Sequence, residues 1–122
     1  ICYPNIYKKN SLIGVNQIWK EFDSMGKYDF RIKNPLINKE FWWFIGLWLA
    51  EGWISKDKFG NIKIILSHNS NETHIINKLV NIISSLTERS VAIFSTTKNN
   101  TTYTCFNSKQ IGMFLEKHFG KY

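Results

Sequence analysis

The sequence predicts an α+β fold in which helices alternate with β-hairpins. Two pairs of strand-like segments are each joined by a short loop containing Gly or Asn, which is typical of β-hairpins. Three segments with helical apolar spacing precede, separate and follow these hairpins. From Lys39 onward the predicted order is therefore αββαββα. With 122 residues and 43% hydrophobic content, the chain can bury an ordinary core.

Residues 1–38 form a mixed lead-in segment before this predicted unit of residues 39–122. A short strand is expected at residues 28–32, and Asn34-Pro35 marks a turn. Asn38 is a suitable N-cap for a helix over Lys39 to Glu51. One helical face is expected further upstream at Val15, Ile18, Trp19 and Phe22.

The first hairpin is predicted to pair residues 53–56 with residues 62–67, with Gly60 in the loop. Alternation in its second strand points Ile64 toward the core and Lys63 away from it. Asn69 with Glu72 three residues later resembles a capping box. The helix that follows is expected to bury Ile75, Ile76, Leu79, Ile82, Ile83 and Leu86.

The second predicted hairpin pairs residues 91–97 with residues 101–107. Ser108 or Asn107 is a candidate N-cap for the last helix, and Gly120 is expected to end it. No internal repeat and no low-complexity linker interrupts the chain.

The charge is strongly positive, because 16 Lys and Arg residues face 9 Asp and Glu residues. A net charge of +7 favours a polyanionic partner, of which nucleic acid is the commonest, although solubility or an AT-rich coding sequence also produces it. Cys2 and Cys105 have no nearby pair of His residues to complete a zinc site. Two free thiols fit an intracellular protein, but they could pair in an oxidising compartment. The longest apolar run is too short to span a bilayer, so no membrane partner is expected.

The stretch Phe44 to Gly52 reads FIGLWLAEG and ends an apolar run in an acid. Helical spacing puts Gly46 and Ala50 on one face, where a second backbone could approach closely. Gly52 is expected to end the helix with a positive φ. Glu51 then lies in the last turn, where a negative charge opposes the helix dipole by about 0.3–1 kcal/mol. A nearby cation, and a divalent metal first of all, would compensate that charge.

The string FIGLWLAEG, followed by two hairpins alternating with helices, resembles the LAGLIDADG homing endonucleases, and most closely the endonuclease domains carried inside inteins. The resemblance covers about residues 39–122 and implies an αββαββα half-domain with a twisted antiparallel sheet and helices on one face. It implies that two motif helices pack side by side, from two subunits or from two halves of one chain. It also implies that Glu51, with Gly52 beside it, binds Mg²⁺ next to the equivalent acid of the partner helix. The expected activity is a metal-dependent double-strand break in duplex DNA at a specific site.

In this family, alternate strand residues contact the bases in the major groove. The resemblance therefore implies that Ser55, Lys63 and Ser67 face DNA, with Lys98 and Thr104 as further choices from the second hairpin.

The chain departs from the family pattern at several positions. Glu51 replaces the commoner Asp, and Leu49 stands where many members have another acid. The chain stops at Gly120-Lys121-Tyr122, before the basic loop in which the family has a Lys that organises water at the metal. We therefore expect the first half of a two-motif protein, with little or no cleavage by residues 1–122 alone. The initial Ile suggests an excised or processed segment, and an intein parent would add peptide splicing.

Less specific interpretations of the same residues remain open. The Trp-rich helix could be plain core with Glu51 as a surface acid, and the fold could belong to a non-cleaving DNA-binding module or an RNA maturase. His68, His74 and His118 have no metal-binding spacing, and His74 is expected on a helix surface.

Overall fold

The computed structural model describes Phe30, Arg31, residues 35–96 and residues 99–120. The predicted helix around residues 15–22, most of the lead-in, Lys98 and Lys121 lie outside these residues. Of the predicted strand at residues 28–32, Phe30 is described, and it forms an isolated antiparallel bridge with Thr87. Of the turn predicted at Asn34-Pro35, Pro35 is described, and it begins a short 3-10 helix, Pro35–Ile37.

Helix α1 spans Lys39–Glu51, as predicted. The Asn38 side chain caps it by accepting hydrogen bonds from the backbone N–H groups of Glu40 (2.8 Å) and Phe41 (3.1 Å). The helix has no basic residue in its last turn to balance the negative end of its dipole.

Strand β1 (Gly52–Lys56) begins directly where α1 ends, and it pairs antiparallel with β2 (Ile62–Asn69). The predicted hairpin is therefore confirmed. In its loop, the Asp57 carboxylate accepts hydrogen bonds from the backbone N–H groups of Phe59 (2.8 Å) and Asn61 (2.9 Å). These two hydrogen bonds hold the loop in its conformation.

Helix α2 (Thr73–Leu86) follows β2, and its N-cap is Glu72 rather than Asn69. Half of the predicted capping box forms, because the Glu72 carboxylate accepts from the Asn69 N–H at 2.9 Å. The other half does not, because the Asn69 side chain accepts from the Asn71 N–H instead. The predicted apolar face is buried except at Ile75, which is half-buried.

The second hairpin joins β3 (Ala92–Thr96) to β4 (Thr101–Asn107), and helix α3 (Lys109–Phe119) follows. Ser108 caps α3 by accepting from the Ile111 N–H at 3.1 Å, and Gly120 follows its last residue, as predicted. The α+β fold and its helix–hairpin alternation are thus confirmed.

The four strands form one antiparallel sheet in the order β1-β2-β4-β3. The strict alternation of burial along β2 separates a helix-covered face from a second face, which we call the open face. The core lies between the sheet and the helices and contains Phe41, Phe44, Trp48, Ile64, Leu66, Leu79, Ile83, Phe106, Ile111, Phe114 and Leu115. None of the helices in the described part of the chain is long and apolar enough to cross a membrane.

Candidate nucleic-acid interface and metal ligand

Glu51 occupies the junction between α1 and β1, and its side chain is exposed. Within the described part of the chain, its carboxylate has no ion pair and no hydrogen bond. Because the last turn of α1 also lacks a basic residue, this negative charge is left uncompensated at the negative end of the helix dipole. The site therefore suits a cation supplied from outside the described residues.

Helix α1 ends at its C-cap Gly52, as predicted, but the positive φ predicted for this glycine is wrong. Gly52 has φ −123° and ψ 168°, which is extended backbone that any residue adopts, so no positive φ is needed. The need for glycine is steric instead, since a Cβ atom there would collide with the buried indole of Trp48, within 2.9 Å of its Nε1. The absence of a side chain at Gly52 thus lets β1 begin immediately after Glu51 while Trp48 stays buried. The predicted role of Gly52 at a metal stays a prediction.

The outward side of α1 carries the two small residues predicted for a helix pair. Gly46 is half-buried, Ala50 is exposed, and the neighbouring Leu49 is 39% exposed. On the same side, the Trp43 ring lies 4.5 Å from the Lys78 ammonium. We call this side of α1, with Trp43, Gly46, Leu49 and Ala50, the apolar stripe. It ends at Glu51, so a second helix packed against it would come close to the Glu51 carboxylate.

On the open face, three of the five predicted DNA-contacting residues are accessible as expected. Ser55 and Lys63 are exposed and pair directly across β1 and β2, and Asn107 pairs with Lys63 from β4. Ser67 lies four residues, or two pleat repeats, further along β2 than Lys63 and is half-buried. Lys98 lies outside the described residues.

The predicted exposure of Thr104 is wrong. Thr104 is fully buried, because it pairs with the core residue Leu66 and lies on the helix-covered face. Its hydroxyl is 2.9 Å from Nε2 of His68, which is also buried. A threonine fits either side of a strand when its hydroxyl finds a partner, so the residue type did not reveal the side.

Burial also controls the charge of His68. Removal from water lowers the pKa of this imidazole below its ordinary value of 6.5, while the negative charges of Glu72 and Glu51 act in the opposite direction. The neutral ring is therefore favoured on the covered side of the sheet beneath the α1–β1 junction.

Three aromatic side chains, which sequence reasoning missed, lie next to one another on the open face. Tyr103 stacks on Phe94 with ring centroids 5.4 Å apart, and it meets Trp53 edge-on at 6.2 Å. We call Trp53, Tyr103 and Phe94 the aromatic row. Alternation along each strand could have placed them on this face, but their contact depends on a strand order that the sequence does not reveal.

A polar cavity of about 530 Å³ lies at the end of the sheet where Lys63 of β2 pairs with Asn107 of β4. Lys63, Arg89 and Lys109 line it together with Asn107, and we call these three cationic residues the cationic pocket. Asp57 also lines the cavity, but its carboxylate is held by the loop, and the side-chain hydrogen bond from Asn61 first of all lowers its pKa. Among the described residues that line the cavity, three cationic side chains therefore stand beside one carboxylate.

Among the residues that the structure describes, no group of three or more His, Cys, Asp and Glu side chains could hold a metal ion. Glu51 is thus a single hard oxygen donor of the kind that Mg²⁺ prefers, and further oxygen ligands would have to come from water, phosphate or another carboxylate. His74 is exposed on α2, as predicted, and Cys105 is a buried free thiol. Comparisons with protein-family models, with curated proteins and with solved structures find no match.

Proposed function

We propose that this chain is the nucleic-acid-binding half of a site-specific, Mg²⁺-dependent DNA endonuclease of the LAGLIDADG type. Glu51 binds the metal, and the open face of the sheet binds duplex DNA. The observation that carries the proposal is the exposed carboxylate of Glu51, which has no ion pair among the described residues and lies at the end of a helix whose outward stripe is apolar. The net charge of +7 supports a polyanionic partner.

A single carboxylate leaves the metal site incomplete, so the proposal includes a second motif helix. Small residues at positions 46 and 50 permit close approach of that helix, from a second copy or from another part of the same protein. Two acids would then share the metal ions, which polarise the scissile phosphate and stabilise the leaving oxygen. Each acid would serve one DNA strand.

Cleavage is tested with the longer protein encoded by the open reading frame that contains this segment. The substrate is a supercoiled plasmid carrying the DNA that flanks the insertion site of that reading frame. In Mg²⁺, we expect Glu51→Gln to lower the cleavage rate by about a hundredfold or more, because it removes a charged metal ligand. The proposed role of Glu51 is wrong if this variant cuts as well as the parent.

Glu40→Gln is the matched control, because Glu40 is an exposed acid on the same helix, in its first turn. It should leave the cleavage rate unchanged. Both variants should still bind the flanking duplex. That result would show that the lost cleavage comes from the missing metal ligand and not from unfolding.

A second candidate is a module of the same fold that binds nucleic acid without cleaving it, including an RNA maturase. The aromatic row favours this candidate, because aromatic rings offer stacking surface to unpaired bases. Salt-sensitive binding that is never accompanied by nicking, even by the full-length protein, would support it over the nuclease.

A further inference from the structure

We propose that the open face of the sheet selects thymine-rich duplex DNA, because its middle is an apolar surface that packs against thymine methyl groups in the major groove. The inference rests on the proposed function, since it takes duplex DNA to be bound on this face. It goes further by naming the chemical feature of the target that the chain reads.

The strand register places apolar side chains side by side in the middle of the open face. Alternation puts Ile65 and Ser67 of β2 on this face, and their partners on the neighbouring strands lie there with them. The residues in register with Ile65, together with the aromatic row, form what we call the apolar centre: Trp53, Ile65, Cys105, Ala92, Tyr103 and Phe94. None of these six side chains carries a charge or an amide group.

The two ends of the open face are polar. The polar side chains are Ser55, Lys63 and Asn107 at one end, and Asn69, Thr101 and Thr96 at the other. None of the four strands contains an acidic residue. A polyanion on this face therefore meets no negative charge from the strands, and polar groups flank the apolar centre on both sides.

The apolar centre is accessible and preorganised. Phe94 is 51% exposed, and Trp53, Tyr103 and Ile65 are half-buried. Tyr103 stacks on Phe94 and meets Trp53 edge-on, so the three rings support one another. Contact with DNA therefore has to order few further side-chain rotamers.

The chemistry of the apolar centre matches one group in the major groove. Guanine is read there by Arg or Lys and adenine by Asn or Gln, each through paired hydrogen bonds, and the apolar centre has none of these residue types. The C5 methyl group of thymine is the apolar feature of the groove, and apolar side chains contact it. A cytosine in its place would lose that contact and would leave its N4 amino group facing apolar atoms without a partner.

The size of the apolar centre limits how many bases it reads. It spans all four strands, which is about 14 Å at the usual spacing between neighbouring strands. Base pairs follow one another at about 3.4 Å along a duplex, so at most about four of them fit against this width. Burial of one methyl group favours binding by about fourfold, and two such contacts already give a preference of about tenfold.

The test compares two forms of one duplex that differ in their methyl groups. The probe is the fluorescein-labelled duplex that flanks the insertion site, made either with thymidine or with deoxyuridine at every thymine position. The reference protein is the longer protein with Glu51→Gln, so that the probe is not cut during the measurement. By anisotropy, we expect the reference protein to bind the deoxyuridine form about tenfold or more weakly, because that form lacks the methyl groups.

A substitution at Phe94 isolates the part that this chain plays within the longer protein. Phe94→Ser should weaken binding of the thymidine form but hardly change binding of the deoxyuridine form, so the ratio of the two affinities should fall by about fourfold or more. A change in DNA stiffness caused by the missing methyl groups acts on both proteins alike and cancels in this comparison. Phe94→Leu should keep most of the ratio, because contact with a methyl group needs apolar surface rather than a ring.

Phe59→Ser is the matched control. Phe59 is 77% exposed in the loop of the first hairpin, outside the apolar centre, so this variant should keep the affinity ratio of the reference protein. Circular dichroism of each variant checks the fold.

The inference is overturned if the reference protein binds both forms of the duplex equally, or if Phe94→Ser keeps the full affinity ratio. Either result leaves the proposed nuclease function intact, because the duplex is still bound. A loss in Phe94→Leu as large as that in Phe94→Ser, or tighter binding of one unpaired strand of the probe than of the duplex, would indicate ring stacking and would also overturn it. If neither form of the duplex binds, the inference and the proposed function fail together.

Discussion

At His68, burial opposes the positive charge of a protonated imidazole, so stability depends on pH. The folded chain holds the pKa of His68 below 6.5, whereas the unfolded chain leaves it at that ordinary value. The unfolded state therefore binds the proton first as the pH falls. The contribution of the neutral ring is complete above pH 6.5 and is lost as the pH falls from there through the lower folded value.

We expect the free energy of unfolding of the parent chain to fall when the pH is lowered from about 7.5 to about 5.5. The free energy of unfolding of His68→Gln should fall less, because glutamine does not titrate in this range. Urea denaturation at the two pH values measures both. His74→Gln is the matched control, because His74 is exposed on α2, and it should keep the pH dependence of the parent. An unchanged pH dependence in His68→Gln would contradict the prediction.

At the scale of elements, α3 docks on β2 through Gly112. A Cβ atom at this position would collide with Cγ2 of Ile62 and lie 3.1 Å from its Cβ. Ala favours a helix over Gly by about 1 kcal/mol, whereas overpacking a core costs about 1–3 kcal/mol. Because both residues are buried, we expect the clash to dominate, and Gly112→Ala should lower the free energy of unfolding measured in urea.

Ile62→Ala provides the control, because it removes the colliding methyl group. In that background Gly112→Ala should cost at least about 1 kcal/mol less than in the parent. Equal costs in the two backgrounds would mean that the docking of α3 does not depend on this contact.

The elements also show where sequence reasoning succeeds. The bounds of α1 are predictable because Asn38 is a strong N-cap and a β-hairpin begins directly after Glu51. The face of the sheet to which each β4 side chain points is harder to predict, because its threonines fit a polar surface and a hydrogen-bonded interior equally well. Thr102 points inward and is hydrogen-bonded to Ser70 and Ser95. Thr104 also points inward and is hydrogen-bonded to His68, whereas Tyr103 between them points outward. The aromatic row and the cationic pocket gather residues from distant segments, so only the folded sheet reveals them.

For the whole molecule, the proposed helix pair has an electrostatic consequence. Parallel pairing through Gly46 and Ala50 would bring two Glu51 carboxylates together, and like charges at short range repel. A divalent cation bound between them would remove that repulsion and would bind the pair better than the single chain. Association should therefore be linked to Mg²⁺.

Ala50→Arg should abolish this association, because a long charged side chain cannot fit between closely packed helices. Ser84→Arg is the matched control, since Ser84 is exposed on α2, away from the stripe on α1. It should associate like the parent. Equal association of both variants would exclude the α1 stripe as the interface.

We expect sedimentation velocity of the 122-residue chain to show self-association that tightens by about tenfold or more when MgCl₂ replaces KCl at equal ionic strength. Glu51→Gln should associate to the same extent in both salts, because its neutral amide neither repels its mate nor binds the ion. A parent chain that stays monomeric in both salts would contradict self-pairing and would leave a different motif helix as the partner. Mg²⁺-linked association that persists in Glu51→Gln would instead assign the ion to other residues, because the carboxylate is the only group that this substitution removes.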